Sequence, residues 1–338
     1  MSEAVLDQGP KAAAPRRRSA RLHLRELVLI PVIVVTMIAG SLVNPAFLTS
    51  DNLLNILQQS SELSILVIAQ SLILIGGKFD LSLESIVGFA PMVAAWLMVT
   101  DTTQGGSGIG IDGTMGIVVV MLAGLVVGLF NGFLVVKLRL NAFIGTLAML
   151  ILLRGTTVGM TNGRTLFDLP PEFLYLGSAR WVGVPASIWI AGALFAVFGV
   201  LLRYHRLGRA VYAIGGNPEA ARVAGIPVER VTWALFVIGG LLAALAGLML
   251  TGRIASVVAS QGQNMIFYVF AAAVIGGISL NGGQGRLLGA LTGVLLLGIL
   301  QNVLTLSQIA AFWIDAAYGA IILLSLIIAR LSGETPRG

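Results

Sequence analysis

Arg203-Tyr-His-Arg-Leu-Gly-Arg-Ala-Val-Tyr-Ala-Ile-Gly-Gly-Asn-Pro-Glu-Ala-Ala-Arg-Val-Ala-Gly-Ile-Pro-Val-Glu-Arg230 separates two apolar runs, 186–202 and 231–251, and carries five arginines. Each flanking run is close to the ~20 residues that cross a hydrocarbon core. Basic loops stay on the cytoplasmic side of a membrane, so the side on which this segment falls decides how many spans the chain has. Further apolar runs lie at 27–43, 61–77, 82–100, 116–136 and 142–160 before it, and at 266–281, 287–305 and 312–330 after it. These make ten spans, of which the short, glycine-rich 266–281 is the weakest. Ten spans with a cytoplasmic N-terminus put 17 of the 21 Lys and Arg residues inside, Arg164, Arg180 and Arg253 outside, and Arg154 within a span. Eight or nine spans would put this segment, or the C-terminal basic residues, on the wrong side.

The fold expected is therefore an all-α polytopic membrane protein of about ten transmembrane helices with both termini cytoplasmic. A basic cytoplasmic tail occupies 1–26, the transmembrane domain 27–331 with its cytoplasmic loop 203–230, and a second cytoplasmic tail 332–338. The external connections, 44–60, 101–115, 161–185 and 252–265, are too short for a separate domain of typical size.

Composition agrees. Hydrophobic residues make up 57% of the 338 and charged residues 11%, against about 25% charged in a soluble domain. A water-facing surface cannot be covered with so few charges, which excludes a soluble enzyme. The 42 glycines fit closely packed or interrupted membrane helices. With no cysteine, disulfides and thiolate chemistry are excluded. His23 and His205, each beside arginines, read as solvated loop residues. The net charge of +6 borders the apolar runs, so it marks topology rather than nucleic-acid binding.

Within the loop, Asn217 suits an N-cap and Pro218 the first helical position. Glu219 complements the positive end of the helix dipole. Ala220, Ala221 and Ala224 favour helix, Gly225 stops it and Pro227 prevents its continuation. The residues specify a helix of about two turns. So short a helix is marginal alone and needs a surface to pack on, either the chain's own helix ends or a partner's groove.

The run Gly208–Ile226 closely resembles the coupling segment of membrane permeases of the ribose/xylose/arabinose-type ABC importer family. The resemblance extends from about Leu53 to Leu331. It includes Gly128-Leu-Phe-Asn-Gly132, Phe143-Ile-Gly-Thr-Leu147, Leu153-Arg-Gly155, Gly163-Arg164 and Ile275-Gly-Gly-Ile-Ser-Leu-Asn-Gly-Gly-Gln-Gly285. The chain departs from the family at Gly77-Lys-Phe-Asp-Leu-Ser-Leu-Glu-Ser85, where Lys78 and Glu84 replace glycines. It departs again at Ile266 and Tyr268, where an acidic pair is common.

The resemblance implies a type II (vitamin B12 importer-like) ABC permease architecture. The implied role is translocation of a monosaccharide or related polyol across the bacterial inner membrane by ATP-driven alternating access. It implies a second permease copy, identical or related, and a separate ABC ATPase subunit that binds ATP and Mg. It also implies a periplasmic or lipid-anchored sugar-binding protein and surrounding membrane lipid, with no cofactor in this chain. The ATPase contact would fall on Asn217, Pro218, Glu219, Ala220, Ala221, Arg222 and Gly225. The chain itself is not an ATPase. A P-loop ending at Gly77-Lys78 would need glycine at Leu72 and Ser or Thr at Phe79.

Gly76-Gly77 and Gly276-Gly277 each end an apolar run at equivalent places, which suggests a parallel internal repeat. Each interior glycine costs a helix about 1 kcal/mol relative to alanine, so both doublets are expected breaks, either flanking the translocation path on its cytoplasmic half or serving as close-packing positions between helices. Phe89, Trp96, Asn131 and Asn302 are candidate lining residues. Lys78, Asp80 and Glu84 cluster near the cytoplasmic boundary, Asp80 and Glu84 on one helical face if the helix has begun by Asp80, with Lys78 placed to neutralise Asp80. Glu62, Gln70, Arg154 and Asp315 are further polar groups within or near spans, and Arg154 and Asp315 either pair or snorkel to their interfaces. An ion-coupled secondary transporter of a small polar solute is the alternative function. It would use buried carboxylates near the midplane, but leaves the capped helix unexplained. No catalytic motif of an intramembrane enzyme is present.

Overall fold

The computed structural model describes residues 17–310, 312–314, 316–320, 323 and 327, with side chains from Leu29 onward. Twelve helices are delimited among them: α1 (Arg17–Val43), α2 (Ser50–Ile75), α3 (Leu83–Met98), α4 (Gly113–Gly132), α5 (Ala142–Thr161), α6 (Pro171–Ser178), α7 (Ala186–Tyr204), α8 (Arg206–Gly216), α9 (Pro218–Val223), α10 (Val228–Ile254), α11 (Met265–Ile275) and α12 (Leu287–Leu306). A π-helical turn, Phe133–Lys137, extends α4. A two-stranded hairpin, β1 (Arg180–Trp181) with β2 (Val184–Pro185), joins α6 to α7.

Six of these helices are long and apolar enough to cross a membrane: α2, α4 with its extension, α5, α7, α10 and α12. The apolar parts of α1, α3 and α11 are shorter. The expected runs thus reappear as helices, and 312–330 is described only in part. Three boundaries differ. Helix α1 reaches back to Arg17, into the expected tail. Helix α2 begins at Ser50, where an external connection was expected to run to Ser60; the Thr49 hydroxyl accepts from Asn52 N to cap it. Helix α11 ends at Ile275, so 266–281 is a half-length helix followed by a turn.

Helix α2 is the centre. Over its span-length window 78% is buried, against 28% for α5 and for α7, which lie at the periphery. Helix α10 packs against α4, α2, α3 and α6, while α12 packs against α1, α2 and α11. Lipid tails are as apolar as leucine, so small residues that let backbones approach hold such helices together. Gly124 and Gly128 of α4 do this against α10: a Cβ at Gly124 would stand 2.5 Å from the Gly240 carbonyl oxygen. Gly276 and Gly289 play the same part between α11 and α12.

Candidate functional site

The segment expected as a loop with one short helix is a helical hairpin. Helix α7 continues to Tyr204, and α8 fills Arg206–Gly216. His205 is the cap between them: it is exposed, as expected, but its Nδ1 accepts from Leu207 N at 3.2 Å. Then α9 forms as its residues dictate. The Asn217 side-chain oxygen accepts from Glu219 N and Ala220 N, both at 3.0 Å. At the other end Gly225 takes φ +78°, and Ile226 N donates to Ala221 O at 3.0 Å. Glu219 and Arg222 pair at 2.7 Å on the outer face, an exposed contact that contributes little.

Of the residues assigned to the ATPase contact, Ala221 faces the chain's own core and is 4% exposed. Asn217, Pro218, Glu219, Ala220, Arg222 and Gly225 are exposed. Val223, not singled out from the sequence, is 90% exposed.

Helix α9 is held by a glycine junction immediately before it. A Cβ on Gly215 would run into the Ile75 carbonyl oxygen at the end of α2, and would come 2.5 Å from Gly283 N. Gly283 N in turn donates to Ile75 O at 2.8 Å. A Cβ on Gly282 would lie 2.7 Å from Gly77 Cα, and one on Gly283 2.7 Å from Gly216 Cα. Three segments therefore meet backbone to backbone: the end of α2, the end of α8, and the loop between α11 and α12. Tyr212 ties the same loop down by donating its hydroxyl to Gly285 O at 2.8 Å. Burial pushes its phenol above the ordinary value, with Arg286 opposing, so it stays a neutral donor. The doublets Gly215-Gly216 and Gly282-Gly283 were visible in the sequence, but only the fold brings them together.

The two expected breaks are real and alike. Gly76 N donates to Leu72 O, Gly77 N to Leu74 O and Lys78 N to Ile73 O, at 3.1, 2.8 and 3.0 Å. Gly276 N, Gly277 N and Ile278 N donate to Ala272 O, Val274 O and Ala273 O, each at 2.9 Å. Gly77 and Gly277 both take positive φ, +73° and +84°. Each doublet thus ends its helix with the same reversed turn, which fits the suggested repeat.

The polar residues pair differently from expectation. Asp80 precedes α3 instead of sharing a helical face with Glu84, and Lys78 makes no ion pair among the described residues. Asp80 is fully buried: its Oδ1 accepts from Ser82 N at 2.9 Å and from Ser82 Oγ at 2.6 Å. Asn131 Nδ2 donates to Ser82 Oγ at 2.8 Å and to Asp80 Oδ2 at 3.3 Å. Glu84 pairs with Arg154 at 3.0 Å and accepts from Ile266 N at 3.3 Å, linking α3, α5 and α11. Arg154 therefore has a partner other than Asp315, which lies outside the described residues. Glu62 pairs with Arg253 at 2.9 Å.

The candidate lining residues do not converge. Asn131 joins the Asp80 cluster beyond the C-terminal end of α2, whereas Asn302 exchanges two 2.9 Å hydrogen bonds with Asn52 at its N-terminal end. A helix of 26 residues separates those ends by about 39 Å. Phe89 and Trp96 are half-buried on α3 against the core.

A helical bundle with several membrane-length helices, a buried polar network and a capped helix held out at one end defines a polytopic membrane protein. The comparisons name its family. Residues 52–330 match the family described as branched-chain amino acid transport system / permease component, and the chain belongs to that family. Its relatives include the ribose import permease protein RbsC of Escherichia coli strain K12, 34% identical over 317 residues that cover 93% of this chain and 96% of that protein. The L-arabinose ABC transporter permease protein AraH of Azospirillum brasilense is 34% identical, covering 97% and 96%. RbsC of Bacillus subtilis is 33% identical, covering 88% and 90%. The resemblance to monosaccharide-importer permeases read from the sequence is thereby borne out. No solved structure matches.

Proposed function

We propose that this chain is the membrane-spanning subunit of a binding-protein-dependent ABC importer, and that it carries a monosaccharide or related polyol. In this reading it has about ten spans in a type II arrangement, lies in the bacterial inner membrane with α8 and α9 on the cytoplasmic side, and pairs with a second permease copy. A separate ATPase subunit would bind ATP and Mg, and a periplasmic or lipid-anchored protein would deliver the sugar.

The observation that carries the proposal is α9. It is capped at both ends, buries Ala221 alone among its six residues, and holds Val223 90% exposed. A two-turn helix kept rigid and mostly uncovered suits insertion into a groove on a partner. Ala221 anchors it from behind, while Pro218, Glu219, Ala220, Arg222 and Val223 form the outward surface. The glycine junction joins this helix directly to the ends of α2 and of the α11 turn, so force on α9 would reach the bundle centre without a flexible link. The names of the relatives, for ribose and arabinose import, favour a sugar over the amino acid in the family's description.

Proteoliposomes holding this chain, its ATPase and its binding protein test the reading. ATP-dependent accumulation of a pentose or hexose, but not of leucine, is the expected result. Uphill uptake driven by an ion gradient with the ATPase absent would overturn it.

A further inference from the structure

Where α7 turns into α8, beside the start of α12, lies a cavity of about 670 Å³. Its wall carries Arg203, Arg209 and Arg286, with the phenols of Tyr204 and Tyr212. Among the described residues, no acidic side chain lines it. The Arg203 guanidinium lies 5.2 Å above the Tyr204 ring. Arg209 donates one N–H to the Tyr204 carbonyl at 3.1 Å, leaving its other donors to the cavity. Neither arginine has a carboxylate within ion-pair distance among the described residues. Next to these cations the wall turns apolar: Val200 and Leu288 also line it, 59% and 67% exposed.

The Arg203 and Arg209 guanidinium groups beside exposed aliphatic surface, at the end of a membrane-length helix, make an amphipathic concavity. The matching ligand has an anionic phosphate at one end and a hydrocarbon chain at the other. A soluble anion would leave Val200 and Leu288 uncovered, and a neutral lipid would bring no counter-charge to Arg203 and Arg209. We infer that this cavity binds the phosphate headgroup of an anionic phospholipid, held by Arg203 and Arg209, with an acyl chain along Val200 and Leu288. Such a lipid would lie against α8 and so steady the base of the α8–α9 hairpin. The inference rests on the proposed cytoplasmic placement of that hairpin only for the choice of leaflet.

Native mass spectrometry of the purified protein, equilibrated with phosphatidylglycerol and phosphatidylcholine, reads the site. The wild type is expected to retain phosphatidylglycerol preferentially. Each arginine near a lipid surface contributes about fivefold in affinity, so R203Q/R209Q should lose the preference by roughly 25- to 30-fold. The control R206Q/R230Q removes two exposed arginines that do not line the cavity and should cost the preference clearly less than R203Q/R209Q does. Equal losses in both variants, or none in R203Q/R209Q, would overturn the site. Displacement of the lipid by glycerol 3-phosphate at equal concentration would overturn the lipid as its source. If R203Q/R209Q fails to fold, the wild-type preference and the glycerol 3-phosphate competition still decide. Since the chain has no cysteine, V223C labelled by a membrane-impermeant thiol reagent reports orientation separately. External labelling there would sink the leaflet assignment and leave the lipid result standing.

Discussion

Asp80 is the residue on which the inner polar network turns. It is fully buried, and its carboxylate answers the Ser82 amide, the Ser82 hydroxyl and the Asn131 amide group together. An unmade hydrogen bond at a buried group costs about 1–3 kcal/mol. D80A strands donors on two segments, whereas D80N keeps one acceptor oxygen for the Ser82 pair. The expected order of thermal stability in detergent is therefore wild type, then D80N, then D80A, with D80A lower by about 3 kcal/mol. Equal melting temperatures for the two variants would show that the carboxylate's hydrogen bonds are not what holds the turn. The Glu84–Arg154 pair behaves differently, because its arginine side chain is 22% exposed. E84L alone leaves an uncompensated guanidinium against the core and should destabilise clearly. E84L/R154M, which replaces both ends with apolar side chains, should recover part of the loss. Tryptophan fluorescence melts of the two variants measure that recovery.

At the scale of the element, α9 was legible and α8 was not. Asn217, Pro218 and Gly225 are local instructions, and a helix of six residues follows them without help from elsewhere. Helix α8 contains Gly208, Gly215 and Gly216, which lower its intrinsic propensity, and it forms because α7 and the loop after α11 give it surfaces to pack on. Helix α2 was cut short for a related reason. Its first turns read Ser50-Asp-Asn-Leu-Leu-Asn-Ile-Leu-Gln-Gln-Ser60, polar enough to resemble a connection when hydropathy is the guide. The Asp80–Asn131 contact, spanning 51 residues, has no signal in a single sequence. The element-level prediction compares neighbouring glycines of α8. Gly216 has open space where a Cβ would sit, whereas at Gly215 a Cβ collides with the Ile75 carbonyl and crowds Gly283 N. In the importer proposed above, G215A should abolish ATP-driven uptake or lower membrane abundance sharply, while G216A should keep both within about twofold of wild type, since a helical glycine-to-alanine change is worth at most about 1 kcal/mol. Uptake normalised to abundance in membranes distinguishes them. N217A, which removes the cap, should cost about 1 kcal/mol locally and weaken stimulation of the ATPase while the melting temperature stays close to that of wild type.

Across the whole molecule, the two glycine breaks are 200 positions apart and share one reversed turn, yet they sit in different company. Gly77 touches Gly215, with a Cβ position 3.3 Å from its Cα, and Gly215 is itself locked between Ile75 and Gly283 and cannot yield. Gly277 has nothing within 4 Å of its Cβ position. The same turn thus meets different surroundings: one is pressed into the junction beneath α9, and the other is left open. Alanine at either position meets the same left-handed backbone and loses roughly 1–2 kcal/mol from it, so the difference between the two variants isolates the contact with α8. If the junction transmits movement from α9 to α2, G77A should lose at least about fivefold more ATP-driven uptake than G277A, because a contact term of ~1 kcal/mol is worth that factor. If the turns serve only to end their helices, the two variants should lose uptake equally. Uptake and ATPase rates measured side by side in proteoliposomes decide between these, since a broken link would spare hydrolysis in G77A while its transport falls.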